Sequence, residues 1–470
     1  MKQQISVLLT ILAICACNND PIGRLEADGS NMKSANQILK MDGPERYLAF
    51  HEAIRTNYGQ EHPNYAEGYR LTALFRAARE KTNNQRSARL PWIERGPGNV
   101  GGRTRGIWVD PADTTDHTVF VGSAGGGIWK TEDAGVTWKN LTPEFPNLAT
   151  ATIAGSQVNP QVIYAGTGEG FGASRNILGD GIWKTDDGGD SWQQLGSTAG
   201  KELISAVYRI IVNPGNENEL LFCTLANPRL PGRGVSSNIF RSLDGGNTIE
   251  SVYTSERAIQ QIVADPENFN RLYATVNGRG VIRSNNGGNT WRYIYETTEF
   301  GRMEMSVSPV NSRHIYITAE SNPPEDAPDQ NTSHLIYSPN AGVNWYEVVA
   351  IDSDNAFGDW FNGQGWYDNT VATHPYDSLI VYVGGAGPIL EISLESFDRQ
   401  SASYLATMQP VTDGYGEYFF QYPDARSKGV HVDHHQLHLV AKDSATRSFY
   451  MIDANDGGVA FSKDGGATFI

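Results

Sequence analysis

The dodecapeptide "GIWKTDDGGDSW" (residues 181–192) is nearly identical to "GIWKTEDAGVTW" (127–138), which begins 54 residues earlier. A looser form, Ser/Thr-x-Asp/Asn-x-Gly-x-Thr/Ser-Trp, recurs along the chain. Its copies are TEDAGVTW (131–138), TDDGGDSW (185–192), SLDGGNTI (242–249), SNNGGNTW (284–291), SPNAGVNW (338–345) and SKDGGATF (462–469). Their starts are 54, 57, 42, 54 and 124 residues apart, so the last gap holds a unit without a clear copy. A period of about 40–60 residues predicts a propeller or a solenoid.

Four β-like runs accompany each copy. The first ends in Pro, as in "RGIWVDP" and "YRIIVNP", and the second follows about ten residues later, as in "TVFVGSA". A third run leads into the repeated turn and a fourth leaves it. Four short strands per unit are typical of a propeller blade. The sequence therefore predicts an all-β fold, a β-propeller of about seven four-stranded blades.

The repeated turn suits structure better than catalysis. Its Asp or Asn can accept backbone N–H groups, and its glycines can take a positive φ. The aromatic residue at its end is expected to pack between blades. These turns resemble the Asp-box, or BNR, repeat, over roughly residues 92–470. That resemblance implies the fold alone, because the repeat occurs in sialidases, xyloglucan hydrolases, sortilin-type receptors and assembly factors.

The N-terminal region predicts export. Residues 1–17 combine Lys2, a short apolar run and small residues, which is typical of a secretory signal peptide. The end of this segment resembles a bacterial lipobox, which implies cleavage before Cys17 and lipidation there. An ordinary signal peptide with a chance cysteine is the alternative. The lipobox interpretation predicts a lipoprotein of the outer membrane or cell surface, attached to the membrane through its N-terminal lipid alone.

The rest of the chain divides into three predicted segments. Residues 18–43 are a polar tether, and residues 44–89 are a helical extension and linker because their apolar residues recur at spacings of three and four. Residues 90–470 form the propeller, with "LPWIERGP" (90–97) as a candidate strand for ring closure. The chain stops as the fourth run of the seventh unit begins. Either the ring closes at seven with a very short last strand, or the chain is a piece of a longer protein, which is the favoured interpretation.

The net charge and the cysteine content exclude some classes of function and structure. The net charge is −16 and the isoelectric point is about 5.1, so phosphate would be repelled and no nucleic-acid partner is expected. After removal of the signal peptide and lipidation of Cys17, only Cys223 remains, and no intrachain disulfide can form. No cofactor is expected.

Two of the ten tryptophans fall outside the repeat in a segment that also contains carboxylates. Trp360 and Trp366 lie in "DNAFGDWFNGQGWYDNT", together with Asp359, Tyr367 and Asp368. Aromatic faces beside carboxylates suit a sugar site. The alternative is a plug of buried aromatic residues between blades.

Histidines cluster in "HVDHHQLH" (431–438). In an extended strand, His431, Asp433 and His435 would share a face and offer ligands to zinc or a similar ion. The alternatives are that His434 and His435 line the central mouth, or that the segment is a solvated loop.

Two further segments contribute candidate binding residues at the mouth. In the glycine-rich loop "GTGEGFGASRN" (166–176), Glu169 and Arg175 are candidates to face a ligand. Arg103 and Arg105 enter the first inner strand and are expected to make the mouth locally positive.

Comparison with enzymes that carry this repeat argues against xyloglucanase activity and against sialidase activity. Xyloglucanases of this type have a catalytic aspartate in a Thr-Asp-Val-Gly-Gly segment, where this chain has Ala124. The sialidase Phe/Tyr-Arg-Ile-Pro segment has no counterpart beyond "YRII" (208–211). The segments "GPGNVGGRTRG" (96–106), "GQGWYD" (363–368) and "VDHH" (432–435) resemble segments of exported bacterial proteins that are loosely labelled glycosyl hydrolases.

The sequence favours binding as the function. The predicted ligand is a glycan or an extracellular peptide or protein, bound at a mouth formed by units one, two, six and seven. The alternative is a glycoside hydrolase that uses Asp368 and Asp433 as its carboxyl pair. For a retaining enzyme the two carboxyl groups should be about 5–5.5 Å apart, and for an inverting one about 6.5–9.5 Å. A purely structural role in an envelope assembly is the third hypothesis.

Overall fold

The computed structural model describes most of the predicted propeller and a few residues before it. The described residues are 53–60, 101–171, 177–226, 236–322, 333–351, 358–413 and 429–470, with Phe50, Tyr69, Thr72, Ala73, Arg76, Ala77 and Arg79. Residues 53–55 and the seven single residues are helical, as the spacing of their apolar neighbours predicted. All the strands belong to the compact unit Glu67–Ile470. Cys17, the tether and the candidate closure strand 90–97 lie outside the described residues.

The strands of the first four blades follow one another along the chain. Blade one is β1 (Thr104–Val109), β2 (Val119–Ser123), β3 (Gly127–Thr131) and β4 (Lys139–Asn140); blade two is β5 (Thr150–Gly155), β6 (Ile163–Thr167), β7 (Ile182–Thr185) and β8 (Gln193–Gln194); blade three is β9 (Ala206–Asn213), β10 (Asn216–Leu225), β11 (Ser237–Ser242) and β12 (Glu250–Ser255); blade four is β13 (Ile259–Asp265), β14 (Asn268–Val276), β15 (Gly280–Ser284) and β16 (Arg292–Glu296). In each blade neighbouring strands pair in antiparallel order.

Three further blades complete the described part of the propeller. Blade five is β17 (Phe300–Val307), β18 (Ile315–Ser321), β19 (Ser333–Ser338) and β20 (Tyr346–Ala350); blade six is β21 (Thr370–Thr373), β22 (Ile380–Gly384), β23 (Leu390–Asp398) and β24 (Ser403–Pro410); blade seven is β25 (His434–Asp443), β26 (Ser448–Asn455) and β27 (Gly458–Ser462). The outer strands β20 and β24 pair in parallel, which joins blades five and six into one eight-stranded sheet. The fold is all-β and propeller-like, as predicted.

The first strands of successive blades line the centre of the ring. Each inner strand contacts the next, from β1 through β5, β9, β13, β17 and β21 to β25, and β25 contacts β1. These close approaches require small residues. A β-carbon at Gly122 would meet the carbonyl oxygen of Thr150 in blade two at 2.8 Å. Substitution of this glycine would therefore push blades one and two apart.

Apolar side chains from adjacent blades fill the spaces between them. Trp108 and Phe120 of blade one pack with Ile153 and Ile163 of blade two, and Trp192 lies against this cluster. Trp192 is the aromatic residue that ends the repeated turn of blade two. Its position confirms that this residue packs between blades.

The repeated turn is held by short-range hydrogen bonds. In blade two, Thr185 Oγ1 donates to Asp187 Oδ1 at 2.6 Å and accepts from the Gly189 N–H at 3.0 Å. The Ser191 N–H donates to Asp187 Oδ1 at 2.9 Å, and Gly188 has a φ of 69°. The hydrogen bond that spans the turn recurs in the other five copies, at Asp133, Asp244, Asn286, Asn340 and Asp464. The turn is thus a structural element, as predicted.

The location of these turns separates them from the candidate site. Each one joins the third strand of a blade to the fourth, or in blade seven follows the third strand. Because strands alternate in direction, the turns lie at the end of the ring opposite to the starts of the inner strands. The repeated aspartates therefore do not surround a shared pocket.

Blades one and seven meet at the start of the propeller. The Gly101 backbone lies so close to the Gly457 carbonyl oxygen that a β-carbon would not fit there. At the other side of blade seven, Ile470 and Phe461 exchange two backbone hydrogen bonds of 3.0 Å, so Ile470 occupies the fourth-strand position. No helix among the described residues is long and apolar enough to cross a bilayer.

Candidate functional site

Residues outside the repeat pattern converge at the end of the ring where the inner strands begin. Arg105 lies at the start of β1, Glu169 follows β6, and Asp368 precedes β21. We call the following set the mouth cluster: Arg103, Arg105, Glu169, Arg302, Tyr367, Asp368, Asp433, His435 and Asp456. The sequence predicted a mouth formed by blades one, two, six and seven. In the structure blade five also contributes to it, through Arg302.

Glu169 is the buried centre of the arginine side of the mouth cluster. Arg105 Nε donates to its Oε1 at 2.7 Å, and Arg103 Nη1 lies 3.0 Å from its Oε2. The Tyr367 hydroxyl also donates to Oε1, at 2.6 Å. Burial alone would raise the pKa of Glu169, but the charge of Arg105 and the hydrogen bond from Tyr367 outweigh it, so the pKa lies below its usual value. Glu169 is therefore a carboxylate at neutral pH.

The Arg105 guanidinium is enclosed as well as paired. Its side chain is 3% exposed, and its Cζ lies 4.2 Å from the Tyr367 ring centroid and 4.3 Å from that of Phe171. Stacking between two aromatic faces fixes the orientation of the guanidinium plane. The expectation of a locally positive mouth is wrong for this residue, because its charge is matched by Glu169 and it has almost no surface.

Asp368 and Asp433 form a carboxyl pair. Burial and the charge of Asp456 raise the pKa of Asp433. Asp368 is 1% exposed, and burial followed by the charge of Asp433 raises its pKa to about 8. One proton is therefore shared by the pair at neutral pH, and Asp368 is the buried partner that retains it.

The backbone at Asp433 is unusual. Its φ is 67°, in the left-handed region that a side chain other than that of glycine rarely adopts. Strained conformations of this kind cost about 1–3 kcal/mol and cluster at functional sites. This turn ends immediately before β25 begins at His434.

His435 lies between two carboxyl groups. Its Nε2 is 2.6 Å from Asp456 Oδ1, and its Nδ1 is 3.3 Å from Asp368 Oδ1 without the alignment of a hydrogen bond. Burial, reinforced by the charge of Arg105, holds the pKa of His435 well below its usual value. The imidazole is therefore neutral at pH 7, and its Nε2–H donates to Asp456, which leaves an Nδ1 lone pair facing Asp368.

His434 is fully buried and paired with Asp453. Its Nδ1 is 2.7 Å from Asp453 Oδ2, and both side chains have no exposed surface. Burial alone would lower the pKa of His434, but the charge of Asp453 outweighs it and the pKa is raised. The prediction that His434 binds ligand is wrong, because this buried pair supports the start of β25 instead.

A second polar layer fills the ring below the mouth cluster. Arg302 Nη2 donates to Glu304 Oε1 at 2.7 Å, and Gln261 Nε2 donates to Glu304 Oε2 at 2.6 Å. Arg209 donates to Gln261 at 3.0 Å and to Gln436 at 3.2 Å. This layer links blades three, four, five and seven, and it closes the base of the mouth with polar side chains.

Structural comparison places the chain among known propellers and supports no finer assignment. The chain is similar to an ancestral GH74 enzyme, with a TM-score of 0.58 and 18% identity over 81% of this chain and 47% of that chain. It is also similar to hydrazine synthase of Kuenenia stuttgartiensis, with a TM-score of 0.51 and 12% identity over 79% of this chain and 99% of that one. The similarity to YCF48 bound to D1 peptide is weaker, with a TM-score of 0.47 and 13% identity over 77% and 92% of the chains.

These identities show the fold alone. The chain spans about half the length of the GH74 enzyme, at 47%. No family model and no curated protein matches the sequence.

The two off-pattern tryptophans have different surroundings. Trp360 is 2% exposed and packs with Phe361 in the core shared by blades five and six, so the prediction that it binds ligand is wrong and the plug interpretation applies. Trp366 is 40% exposed and its ring lies 5.3 Å from that of Tyr367. Asp359 accepts from Ser333 Oγ at 2.6 Å and from the Gly363 N–H at 3.0 Å, which stabilises the local turn.

The three-residue metal hypothesis fails on geometry. It required an extended strand through His431, Asp433 and His435, but β25 begins at His434 and the φ of Asp433 is positive. Within the described residues, no group of three or more His, Cys, Asp or Glu side chains is arranged to hold a metal ion. Arg175, the remaining candidate, lies outside the described residues.

Sequence reasoning missed three residues near the mouth. Asp456 lies in the turn between β26 and β27, and Arg302 lies in β17. Glu320 is the last residue but one of β18, and burial raises its pKa to about 7. One signal was available, since "RMEM" (302–305) places alternating charges on an inner strand.

Proposed function

We propose that the mouth binds a glycan. The observation that carries the proposal is Trp366, a 40% exposed tryptophan beside Tyr367. Half-exposed polar side chains accompany it in the mouth cluster, namely Arg103, Asp433 and Asp456. An apolar aromatic face with several fixed hydrogen-bonding groups suits a pyranose ring and its hydroxyls.

The polar groups of the mouth are held in place before a ligand arrives. Arg103 is held by both Glu169 and Asp456, at 3.0 and 3.2 Å. His435 in turn donates to Asp456. Side chains that are already ordered lose little entropy on binding, which favours affinity for a polar ligand.

A panel of soluble glycans and extracellular peptides, scored for retention on immobilised protein, tests the proposal. We expect Trp366→Ala to raise the Kd of the retained glycan about tenfold, since an aromatic contact contributes about 0.5–1.5 kcal/mol beyond its buried area. Tyr293→Ala is the matched control, because Tyr293 is 36% exposed on β16 of blade four. Retention of peptides alone, or equal effects of the two substitutions, would contradict glycan binding at Trp366.

Glycoside hydrolysis is the second candidate, favoured by one observation. Asp368 retains its proton to a pH of about 8 because its pKa is raised by burial and by Asp433, and a general acid needs such a proton. A glycosidase also needs a second carboxyl group at a set separation, about 5–5.5 Å in retaining enzymes and about 6.5–9.5 Å in inverting ones. The charge of Asp433 acts on Asp368, so Asp433 is the candidate for that role. Binding stays the first proposal because it is carried by the exposed Trp366 and needs no second reacting group.

The two candidate functions predict different outcomes for the retained glycans. Each glycan is incubated with the wild-type protein and assayed for new reducing ends. Release that disappears in Asp368→Asn would establish hydrolysis. Retention without release, in both proteins, supports binding alone.

We also propose that the chain is exported and anchored by a lipid on Cys17. The supporting features are the short apolar run and the Ile14–Cys17 segment. Incorporation of labelled palmitate into the wild type, and its loss in Cys17→Ser with Cys15→Ser as control, is the expected result. Equal labelling of wild type and Cys17→Ser would refute the anchor.

A further inference from the structure

The positive charges of the mouth already have partners. Arg105 and Arg103 both bind Glu169, at 2.7 and 3.0 Å. Arg302 binds Glu304 at 2.7 Å and is almost fully buried. The buried Arg105 and Arg302 therefore have little capacity left for an anionic ligand, and the part-exposed Arg103 is already paired with two carboxylates.

The carboxyl groups of the mouth have fewer hydrogen-bond donors than they could accept. Asp456 accepts both of its hydrogen bonds, from Arg103 and His435, on Oδ1, and among the described residues its Oδ2 accepts none. Asp433 is half-buried and, within the same part of the chain, its carboxyl group is paired with no arginine or lysine. Asp368 Oδ1 is buried and has no hydrogen-bond partner among the residues that the structure describes.

The mouth therefore offers acceptors that lack donors. We propose that it recognises a primary ammonium group on its ligand, bound by the carboxylates of Asp433 and Asp456. An ammonium group has three N–H donors and one positive charge, which match these acceptors. This inference rests on the proposed glycan binding and specifies its ligand class, a glycan that contains amino sugars with free amines. Trp366 would contact the sugar face.

Binding of a cation at this position has a consequence for the shared proton. The charged and titratable groups that face Asp368 are Asp433, Asp456, Arg105, Arg302, His434 and His435. A further positive charge beside Asp433 favours the fully ionised carboxyl pair. The proton held by Asp368 then passes to the buffer, so ammonium binding and proton release are coupled.

The test is isothermal titration calorimetry at pH 6, with the β-1,4-linked tetrasaccharide of glucosamine and that of N-acetylglucosamine. The two probes differ at C2, where one carries ammonium groups and the other neutral acetamide groups. Titration in buffers with different ionisation enthalpies counts the protons released. We expect the glucosamine probe to bind at least tenfold more tightly, with release approaching one proton, and the acetylated probe to release none.

Variants test the preference for the amine and the release of the proton separately. Asp433→Asn should abolish the preference for the amine, whereas Asp368→Asn should keep most of the preference and abolish proton release. Asp186→Asn is the control, because Asp186 is exposed in a repeated turn at the opposite end of the ring and should change neither quantity. The number of protons released on binding is measured on the wild-type protein, so this test remains valid even if a variant fails to fold.

The outcomes distinguish this inference from the proposed function. Equal affinity for the two probes overturns the inference and leaves glycan binding in place. Tighter binding of the amine without proton release overturns the coupling to Asp368. If neither tetrasaccharide binds while a neutral glycan is retained through Trp366, the ammonium inference is wrong and the proposed function stands.

Discussion

Replacement of Glu169 by Gln tests whether the arginine side of the mouth depends on one buried carboxylate. The substitution removes the charge that pairs Arg105 and Arg103 and accepts from Tyr367. Arg103 is part-exposed and keeps Asp456, so it can be solvated. Arg105 is 3% exposed, and it would lose the carboxylate with which it forms an ion pair among the described residues.

The expected cost follows from the burial of Arg105. Removal of one partner from a buried ion pair typically costs about 3–5 kcal/mol. Gln can still accept a hydrogen bond through its amide oxygen, so we expect a value near the lower end, about 3 kcal/mol. Glu250→Gln is the control, because Glu250 pairs with Arg241 while exposed, and such pairs contribute about 0–1 kcal/mol.

Guanidinium chloride denaturation at pH 7, followed by tryptophan fluorescence, measures both free energies of unfolding. The pH dependence of the free energy of unfolding is a second test of the reasoning. The pKa of Glu169 is lowered on folding, so its contribution is present above its unfolded pKa of about 4.3 and is lost as the pH falls through the folded pKa. The difference between wild type and Glu169→Gln should therefore shrink below about pH 4. A cost at pH 7 no greater than that of Glu250→Gln would refute the reasoning.

Three further predictions concern stability. Trp360→Ala should cost about 3–5 kcal/mol in the free energy of unfolding because Trp360 is buried, whereas Trp366→Ala should change it by less than about 0.5 kcal/mol, and equal costs would contradict the assignment of one to the core and the other to the mouth. Thr185→Val should cost about 1–3 kcal/mol, since the Gly189 N–H would lose its buried acceptor; a thermal melt indistinguishable from wild type would show that this hydroxyl is dispensable. Asp368→Asn should gain stability over wild type as the pH rises from about 4 to about 8, because the raised pKa of Asp368 means that its stabilising protonated form is lost through about pH 8. A constant difference across that range would show that Asp368 does not hold the proton.

Local patterns were enough to predict the architecture. The repeated turn is made by hydrogen bonds between residues two to four positions apart, such as those among Thr185, Asp187 and Ser191. Such bonds depend on the order of residue types along a few positions, so they can be inferred from the sequence. The absence of a clear copy in unit six also matches the structure, where β23 and β24 are joined without the repeated turn.

The candidate site could be predicted only in part. Residues that break the repeat pattern, such as Glu169 and Tyr367, stood out and meet in the structure. Asp456 and Arg302 did not stand out, since each occupies an ordinary turn or strand position. Nothing in the sequence separates buried Trp360 from exposed Trp366, because both lie in the same off-pattern segment.

The sequence by itself determined the repeated four-strand unit, the turn that closes it and the segments that depart from it, since these follow from periodicity and short-range hydrogen bonding. Only the tertiary structure decided which departing segments meet. Arg103 and Asp456 are 353 positions apart and Tyr367 and Glu169 are 198 apart, and ring closure brings each pair within hydrogen-bonding distance. The charge state of Asp368 was also decided there, because the pKa of a carboxyl group depends on its burial and on neighbours supplied by other blades.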